Sequence, residues 1–292
     1  MAELNKRIHV VINPAAGQDE PILNVINDVF RQYKVDWSVS LTHKFGDATE
    51  FARQAAQDGY DIVAGYGGDG TQHEIANGIL GTDAVMGILP GGTGNNFAKE
   101  MGTPESLLPA AELLCTSQNV RHIDVVQMGE ICFILRLYVG IEPEQQTSRE
   151  DKDKYGKLAY VVDAYRKARD SKEVNYRVTI DGEFTEVPAM VLYVVNAAKN
   201  GAGISVAGEL SKIDDGLMDA FILNMNDLNT ISGAVDRMLN LDTSNAKEYM
   251  QQGKEMTIET DPHQPVWTDG EYTGRTPINL KVLPAVLPIV VP

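Results

Sequence analysis

Residues Gly65–Gly78 read GYGGDGTQHEIANG. An apolar strand over Asp61–Tyr66 runs into Gly67-Gly68-Asp69-Gly70-Thr71, and the pattern beyond predicts a helix over Gln72–Leu80. Glycines allow positive φ and let a phosphate come close to the backbone. The first amides of the helix, with its dipole, favour an anion at that point. Asp69 then has three readings: a ligand of phosphate-bound Mg2+, a group that orients a nucleophile, or a helix cap. Three glycines around one aspartate exceed what a cap requires.

Outward from this stretch, strands and helices alternate. Arg7–Asn13, Trp37–Thr42 and Val85–Leu89 read as strands, and Pro21–Tyr33, Asp47–Asp58 and a segment around Glu105–Leu114 as helices. Such alternation predicts an α/β domain over residues 1–125, with a mainly parallel sheet covered on both faces. After Asp124 the texture changes. Ile131–Val139 is strand-like, the charged run Glu142–Lys154 reads as a solvated loop, and Tyr155–Arg169 as a helix. Val174–Ile180, the turn Asp181-Gly182 and Phe184–Val195 form a hairpin signal. Further strands are expected at Leu217–Leu223, Lys254–Thr260, Pro265–Thr268 and Ile278–Leu283, with a helix near Asn229–Leu241. Few crossover helices predict an antiparallel second domain over residues 126–276.

Two more glycine-rich turns follow strands of the first domain. Leu89-Pro90-Gly91-Gly92-Thr93-Gly94-Asn95-Asn96-Phe97 offers free amides but no lysine, so it is no P-loop. Neither it nor Gly67–Thr71 has the spacing of a dinucleotide fingerprint. Asn13-Pro14-Ala15-Ala16-Gly17 is the third turn. All three are expected at the carboxyl ends of parallel strands, where open α/β sheets bind ligands.

Composition narrows the partners. The 292 residues suit two domains of about 100–200 residues each. Lys plus Arg is 25 against 41 Asp plus Glu, a net charge of −16. Phosphate backbones call for clustered cations, which excludes nucleic acid as a general partner and disfavours docking on anionic lipid. The two cysteines, Cys115 and Cys132, form no CxxC, and the five histidines show no metal-ligand spacing. No signal-peptide pattern opens the chain, and the apolar tail 282–292 is far short of the roughly 20 residues of a membrane span. A cytoplasmic protein is expected.

At its three turns the chain resembles the soluble bacterial diacylglycerol-kinase-like lipid kinases, related to sphingosine and ceramide kinases. Their pattern is Asn-Pro-x-x-Gly, Gly-Gly-Asp-Gly-Thr and Leu-Pro-x-Gly-Thr-x-Asn-Asp-Phe. Tyr155–Tyr160 (YGKLAY), Lys212–Asp219 (KIDDGLMD) and Asp269-Gly270-Glu271 continue the resemblance in order. It implies an N-terminal domain like that of NAD kinases and phosphofructokinases and a C-terminal β-sandwich, with the active site in the cleft between them. The final strand, about 277–292, would return to the first domain. It implies ATP- and Mg2+-dependent phosphorylation of a lipid hydroxyl, most readily diacylglycerol, met transiently at a membrane surface. A homodimer is an open option.

The nucleotide contacts it implies are Asn13, Pro14, Gly17, Thr42, Gly67, Gly68, Asp69, Gly70, Thr71, Gln72, Gly92, Thr93 and Asn95. A structural Mg2+ would be held by Asp215 and by carbonyls at Lys212 and Leu217. Asp69, Asp269 and Glu271 are the implied catalytic carboxylates. Of the last two, either can be the base, Asp269 being placed slightly nearer the hydroxyl; on the residues alone, Asp-Gly is also a plain hairpin turn. Three segments depart from the family. Asn96 stands where an aspartate is usual, Phe133–Glu142 brings in Arg136 and Tyr138, and Gly201–Leu210 lacks an Ala-Pro-x-Ala element. All but Asn96 fall on the acceptor side, so a kinase of NAD or another soluble alcohol, or a non-catalytic nucleotide sensor, stays open.

Overall fold

The computed structural model describes residues 6–16, 20–140, 174–189, 191–197, 211–223 and 250–292. Gly17, the charged run 142–154, the segments 155–169, 201–210 and 229–241, and the Tyr155–Tyr160 motif lie outside them. Two compact units emerge, Met1–Ile123 with Ala285–Pro292, and Asp124–Pro284.

In the first unit, β1 (Arg7–Ile12), β2 (Asp36–Leu41), β3 (Ile62–Gly67) and β4 (Val85–Pro90) alternate with α1 (Ile22–Gln32), α2 (Asp47–Gln57), α3 (Asp69–Ile79), α4 (Asn96–Met101) and α5 (Leu107–Thr116). The strand order is β2-β1-β3-β4, all neighbours parallel. Alternation along β1 sends Ile8, Val10 and Ile12 into one buried cluster with Ile26, Val29 and Phe30 of α1 and Ala110, Ala111 and Leu114 of α5. Each Ile, Val, Leu or Phe side chain in this cluster contributes about 1.5–3 kcal/mol by leaving water.

The second unit is a sandwich of mostly antiparallel strands. Its strands are β5 (Val120–Met128, which begins in the first unit), β6 (Ile131–Phe133), β7 (Arg136–Val139), β8 (Val174–Ile180), β9 (Glu183–Ala189), β10 (Val191–Val195), β11 (Met218–Leu223), β12 (Met250–Gly253), β13 (Glu255–Asp261), β14 (Pro265–Thr268), β15 (Glu271–Arg275) and β16 (Ile278–Val290). One sheet carries β16-β13-β8-β9 and the other β12-β11-β10-β7-β14-β15. Tyr176, Val178, Met256, Ile258 and Leu280 of the first meet Leu137, Val139, Leu192, Val194, Ala220 and Val266 of the second in one core. β16 serves both units: its start pairs with β13, and Ile289 pairs in parallel with Met86 of β4. The boundary between units falls within this strand, at 284/285.

Three expected elements differ in detail. Helix α3 starts at Asp69 rather than Gln72, because Gly68 is extended (φ −85°, ψ −171°) and leads straight into it. The expected strand Phe184–Val195 is two strands, β9 and β10, which pair in different sheets. Ile131–Val139 is also two strands, interrupted at Ile134 and Leu135, whose amides are drawn to Asp269.

Candidate active site

The three glycine-rich turns of the first unit touch one another. Asn13 continues β1 by donating its backbone N–H to Tyr66 O (3.0 Å), and its Oδ1 accepts from Ala15 N (3.0 Å) to close the turn at Pro14. Its Nδ2 reaches Thr71 Oγ1 at 3.2 Å, joining the first turn to the start of α3. Thr42, buried at the end of β2, donates its N–H to Ile12 O (2.9 Å), one residue from Asn13. Two glycines are demanded by contact. A Cβ on Gly67 would lie 2.3 Å from Thr71 Oγ1, and one on Gly92 would lie 2.5 Å from Gly68 Cα. Gly91 N donates to Gly67 O (3.0 Å) beside that close approach.

At the start of α3 the first described intrahelical donor is Gln72 N, to Gly68 O (3.1 Å). The amides of Gly70 and Thr71 precede it and have no intrahelical acceptor, a ready seat for an anion. Gln72, expected among the nucleotide contacts, does not face that seat. It is buried and spends its Nε2 on Gly65 O (2.8 Å). Asn95 is similarly committed: its Oδ1 accepts from Gly92 N (2.9 Å) and its Nδ2 donates to Gly92 O (2.7 Å). Thr93 on the same turn is exposed.

Asp69 caps a helix, but not its own. Its Oδ2 accepts from Asn96 N (3.1 Å) and Asn96 Nδ2 (3.0 Å), and its Oδ1 from Phe97 N (2.9 Å), at the first turn of α4. The carboxylate thereby ties the Gly67–Thr71 turn to the Leu89–Phe97 turn. Here the departure at position 96 has a physical meaning. An amide can donate to Asp69, whereas an aspartate would set two carboxylates together unless a proton or cation intervened.

In the second unit, Asp269 and Gly270 form the hairpin between β14 and β15, with φ of 48° and 100°. Both are positive, as the tightest hairpins require. Asp269 N donates to Arg136 O (2.9 Å). Its carboxylate accepts from the backbone amides of Ile134 (2.8 Å), Leu135 (2.9 Å) and Arg136 (2.9 Å). Glu271, the first residue of β15, is exposed, and its carboxylate has no hydrogen-bond or ion-pair partner among the described residues. Burial works against the Arg136 charge, but its neighbours Tyr138, Tyr193 and Asp269 outweigh it and hold the guanidinium pKa above its ordinary value.

Composition and motifs did not flag what lies next to this hairpin. Phe221, Tyr193, Tyr138, Trp267 and Tyr272 stand directly opposite one another across β11, β10, β7, β14 and β15. Ring centroids are 6.4 Å apart for Phe221 and Tyr193, 4.8 Å for Tyr193 and Tyr138, and 5.4 Å for Trp267 and Tyr272. Register places this row on the sheet face opposite Leu137, Leu192 and Val266. The signal in sequence was the alternation of aromatic and aliphatic residues within each strand.

The loop at 211–217 folds against Asp124. Asp124 N donates to Ile213 O (2.8 Å), and Asp124 Oδ2 accepts from Gly216 N (2.6 Å). Leu217 N donates to Asp215 Oδ1 at 3.1 Å, while Lys212 is exposed. Desolvation pushes the Asp215 carboxyl above its usual range, and the like charges of Asp124 and Asp214 add to it. Asp215 and the loop carbonyls supply oxygen donors of the kind Mg2+ takes. Among the described residues no group of three or more His, Cys, Asp or Glu side chains is arranged to hold a metal.

A parallel sheet whose strand-end turns merge into one glycine-rich seat, followed by a sandwich with carboxylates on a hairpin, defines the class of α/β kinases with a sandwich domain. Residues 7–128 match the family model of the diacylglycerol kinase catalytic domain, and residues 136–291 that of the YegS C-terminal NAD kinase beta sandwich-like domain. A diacylglycerol kinase of Staphylococcus saprophyticus is 27% identical, with 95% of this chain and 94% of that one covered. One from Staphylococcus aureus is 26% identical over 94% and 89%. A crystal structure of a diacylglycerol kinase from Bacillus anthracis superposes with a TM-score of 0.82 at 25% identity, covering 98% of this chain and 97% of that one. The chain belongs to the diacylglycerol-kinase-like lipid kinases. Among the described residues, no helix is long and apolar enough to cross a membrane.

Proposed function

We propose that the protein transfers the γ-phosphoryl group of ATP, with Mg2+, to the hydroxyl of diacylglycerol or a closely related lipid alcohol. The observation that carries this reading is the meeting of three glycine-rich turns around the amides of Gly70 and Thr71, which have no acceptor among the described residues. Those amides would take the phosphates, with Asn13, Pro14, Thr42, Gly67, Gly68 and Thr93 bordering the nucleotide. Asp69 and Asn95 act as positioning residues, since their side chains hold the turns in contact.

The acceptor oxygen attacks the γ-phosphorus, the bond to the β–γ bridging oxygen breaks, and ADP leaves. Mg2+ bound with the nucleotide would neutralise the charge that develops on the phosphoryl oxygens. The acceptor's proton goes to Glu271 rather than Asp269. A carboxylate engaged by three backbone amides is a poor proton acceptor because protonation breaks those bonds, whereas Glu271 is exposed and unengaged among the described residues. Asp269 then sets the hairpin that presents Glu271. Relatives named diacylglycerol kinase support an apolar acceptor, met transiently at a membrane surface.

The test is transfer of label from γ-labelled Mg·ATP to diacylglycerol in mixed micelles, with NAD and sugars as competing acceptors. Labelled lipid is the expected product. Label in NAD or a sugar alone would make this a soluble-alcohol kinase, and ATP binding without any transfer would make it a sensor.

A further inference from the structure

Tyr66, the penultimate residue of β3, is fully buried, and its backbone, ring and hydroxyl each reach a segment of the glycine-rich seat. Its carbonyl accepts from Asn13 N (3.0 Å), where the chain leaves β1. Its hydroxyl donates to Glu20 Oε1 (2.7 Å), just before Pro21 and the start of α1. Its ring lies against the Leu89–Phe97 turn: a Cβ on Gly91 would stand 2.7 Å from both Tyr66 Cε1 and Tyr66 Cζ. The next residue, Gly67, accepts from Gly91 N through its carbonyl (3.0 Å). One residue therefore pins both ends of the stretch from Asn13 to Glu20 and supports Gly91 as well. The bond to Asn13 is made by backbone and would survive another side chain at position 66. The bond to Glu20 needs a phenolic hydroxyl on a ring held in the core.

We infer that Tyr66 is a positioning residue for the nucleotide: its hydroxyl, through Glu20, fixes the Asn13–Glu20 stretch relative to the Gly91–Gly92 turn, and so sets how tightly ATP is held. The inference rests on the reading of the three turns as the nucleotide seat. Being fully buried, Tyr66 acts through Glu20 rather than by touching the nucleotide. Hydrogen bonds to a charged partner are stronger than neutral ones, so losing this one should cost about tenfold in ATP affinity.

The test is a double-mutant cycle on Mg·ATP affinity, read by titration calorimetry. Tyr66→Phe keeps the ring against Gly91 and removes the hydroxyl, whereas Glu20→Ala removes the acceptor. Each should weaken binding about tenfold, and the double variant no further, because both lose the same bond. Glu20→Gln keeps an acceptor oxygen for the hydroxyl and should stay within about threefold of the parent. In steady-state turnover the loss in Tyr66→Phe should fall on KM for ATP rather than on kcat. Should Tyr66→Phe not fold, Glu20→Ala read against Glu20→Gln carries the test. Parent-like affinity in Tyr66→Phe, or losses that multiply in the double variant, overturns the inference. So does tighter binding by Glu20→Ala, the result expected if the carboxylate does no more than repel the phosphates. No Mg·ATP binding by the parent overturns the nucleotide reading and the inference with it.

Discussion

The two units build their candidate sites in opposite ways. In the first, each turn follows its own strand, and what matters is backbone: amides at the start of α3, and glycines where Gly92 nearly touches Gly68. In the second, the hairpin is organised by partners far along the chain, with Asp269 reaching back to Ile134, 135 positions earlier. The difference teaches where motif reading is strong. A site made of amides advertises itself through glycines and short polar residues in one short stretch. A site made of side chains takes its roles from neighbours that no local pattern names.

Four substitutions would sharpen or break this contrast. Glu271→Gln should lower turnover by about 10²–10⁴, the usual contribution of a general base, with ATP affinity and melting temperature unchanged. Gly92→Ala should act on the other unit. Its Cβ would meet the backbone of Gly68, which cannot yield as a side chain does. A cost of about 1–3 kcal/mol and at least about a tenfold loss of ATP affinity in titration calorimetry are expected. Asp269→Asn removes the anionic acceptor for three amides, so thermal melts should show a loss of about 1–3 kcal/mol with ATP affinity intact.

The smallest effect concerns acid. Burial lowers the His9 pKa below its ordinary 6.5, against the opposing charge of Asp58, and both ring nitrogens are bonded, to Ser38 and Ser40 hydroxyls. The unfolded chain therefore takes up the proton first. Stability from neutral His9 is present above 6.5 and is lost as pH falls through that value toward the lowered one. In His9→Gln, the fall in melting temperature between about pH 7 and 5.5 should be shallower than in the parent.

Much of the first unit was legible because strand and helix periods are local, and α1 shows it with Ile26, Val29 and Phe30 buried at helical spacing. What was not legible is direction. Nothing in Gly-Asp-Gly-Thr-Gln says that Gln72 turns inward to Gly65 or that Asp69 caps α4. In the second unit the Asp-Gly hairpin was legible, but its division of labour was not, because the three amides that engage Asp269 come from a segment read as one unbroken strand.

The most direct test is single-turnover phosphoryl transfer to diacylglycerol by Glu271→Gln protein saturated with Mg·ATP, beside Asp269→Asn. The account predicts that the glutamine variant binds nucleotide normally and transfers at least about 100-fold more slowly, while the asparagine variant loses stability first and rate less. Transfer at the parent rate by Glu271→Gln, with Asp269→Asn inert but folded, would contradict it and return the base to Asp269.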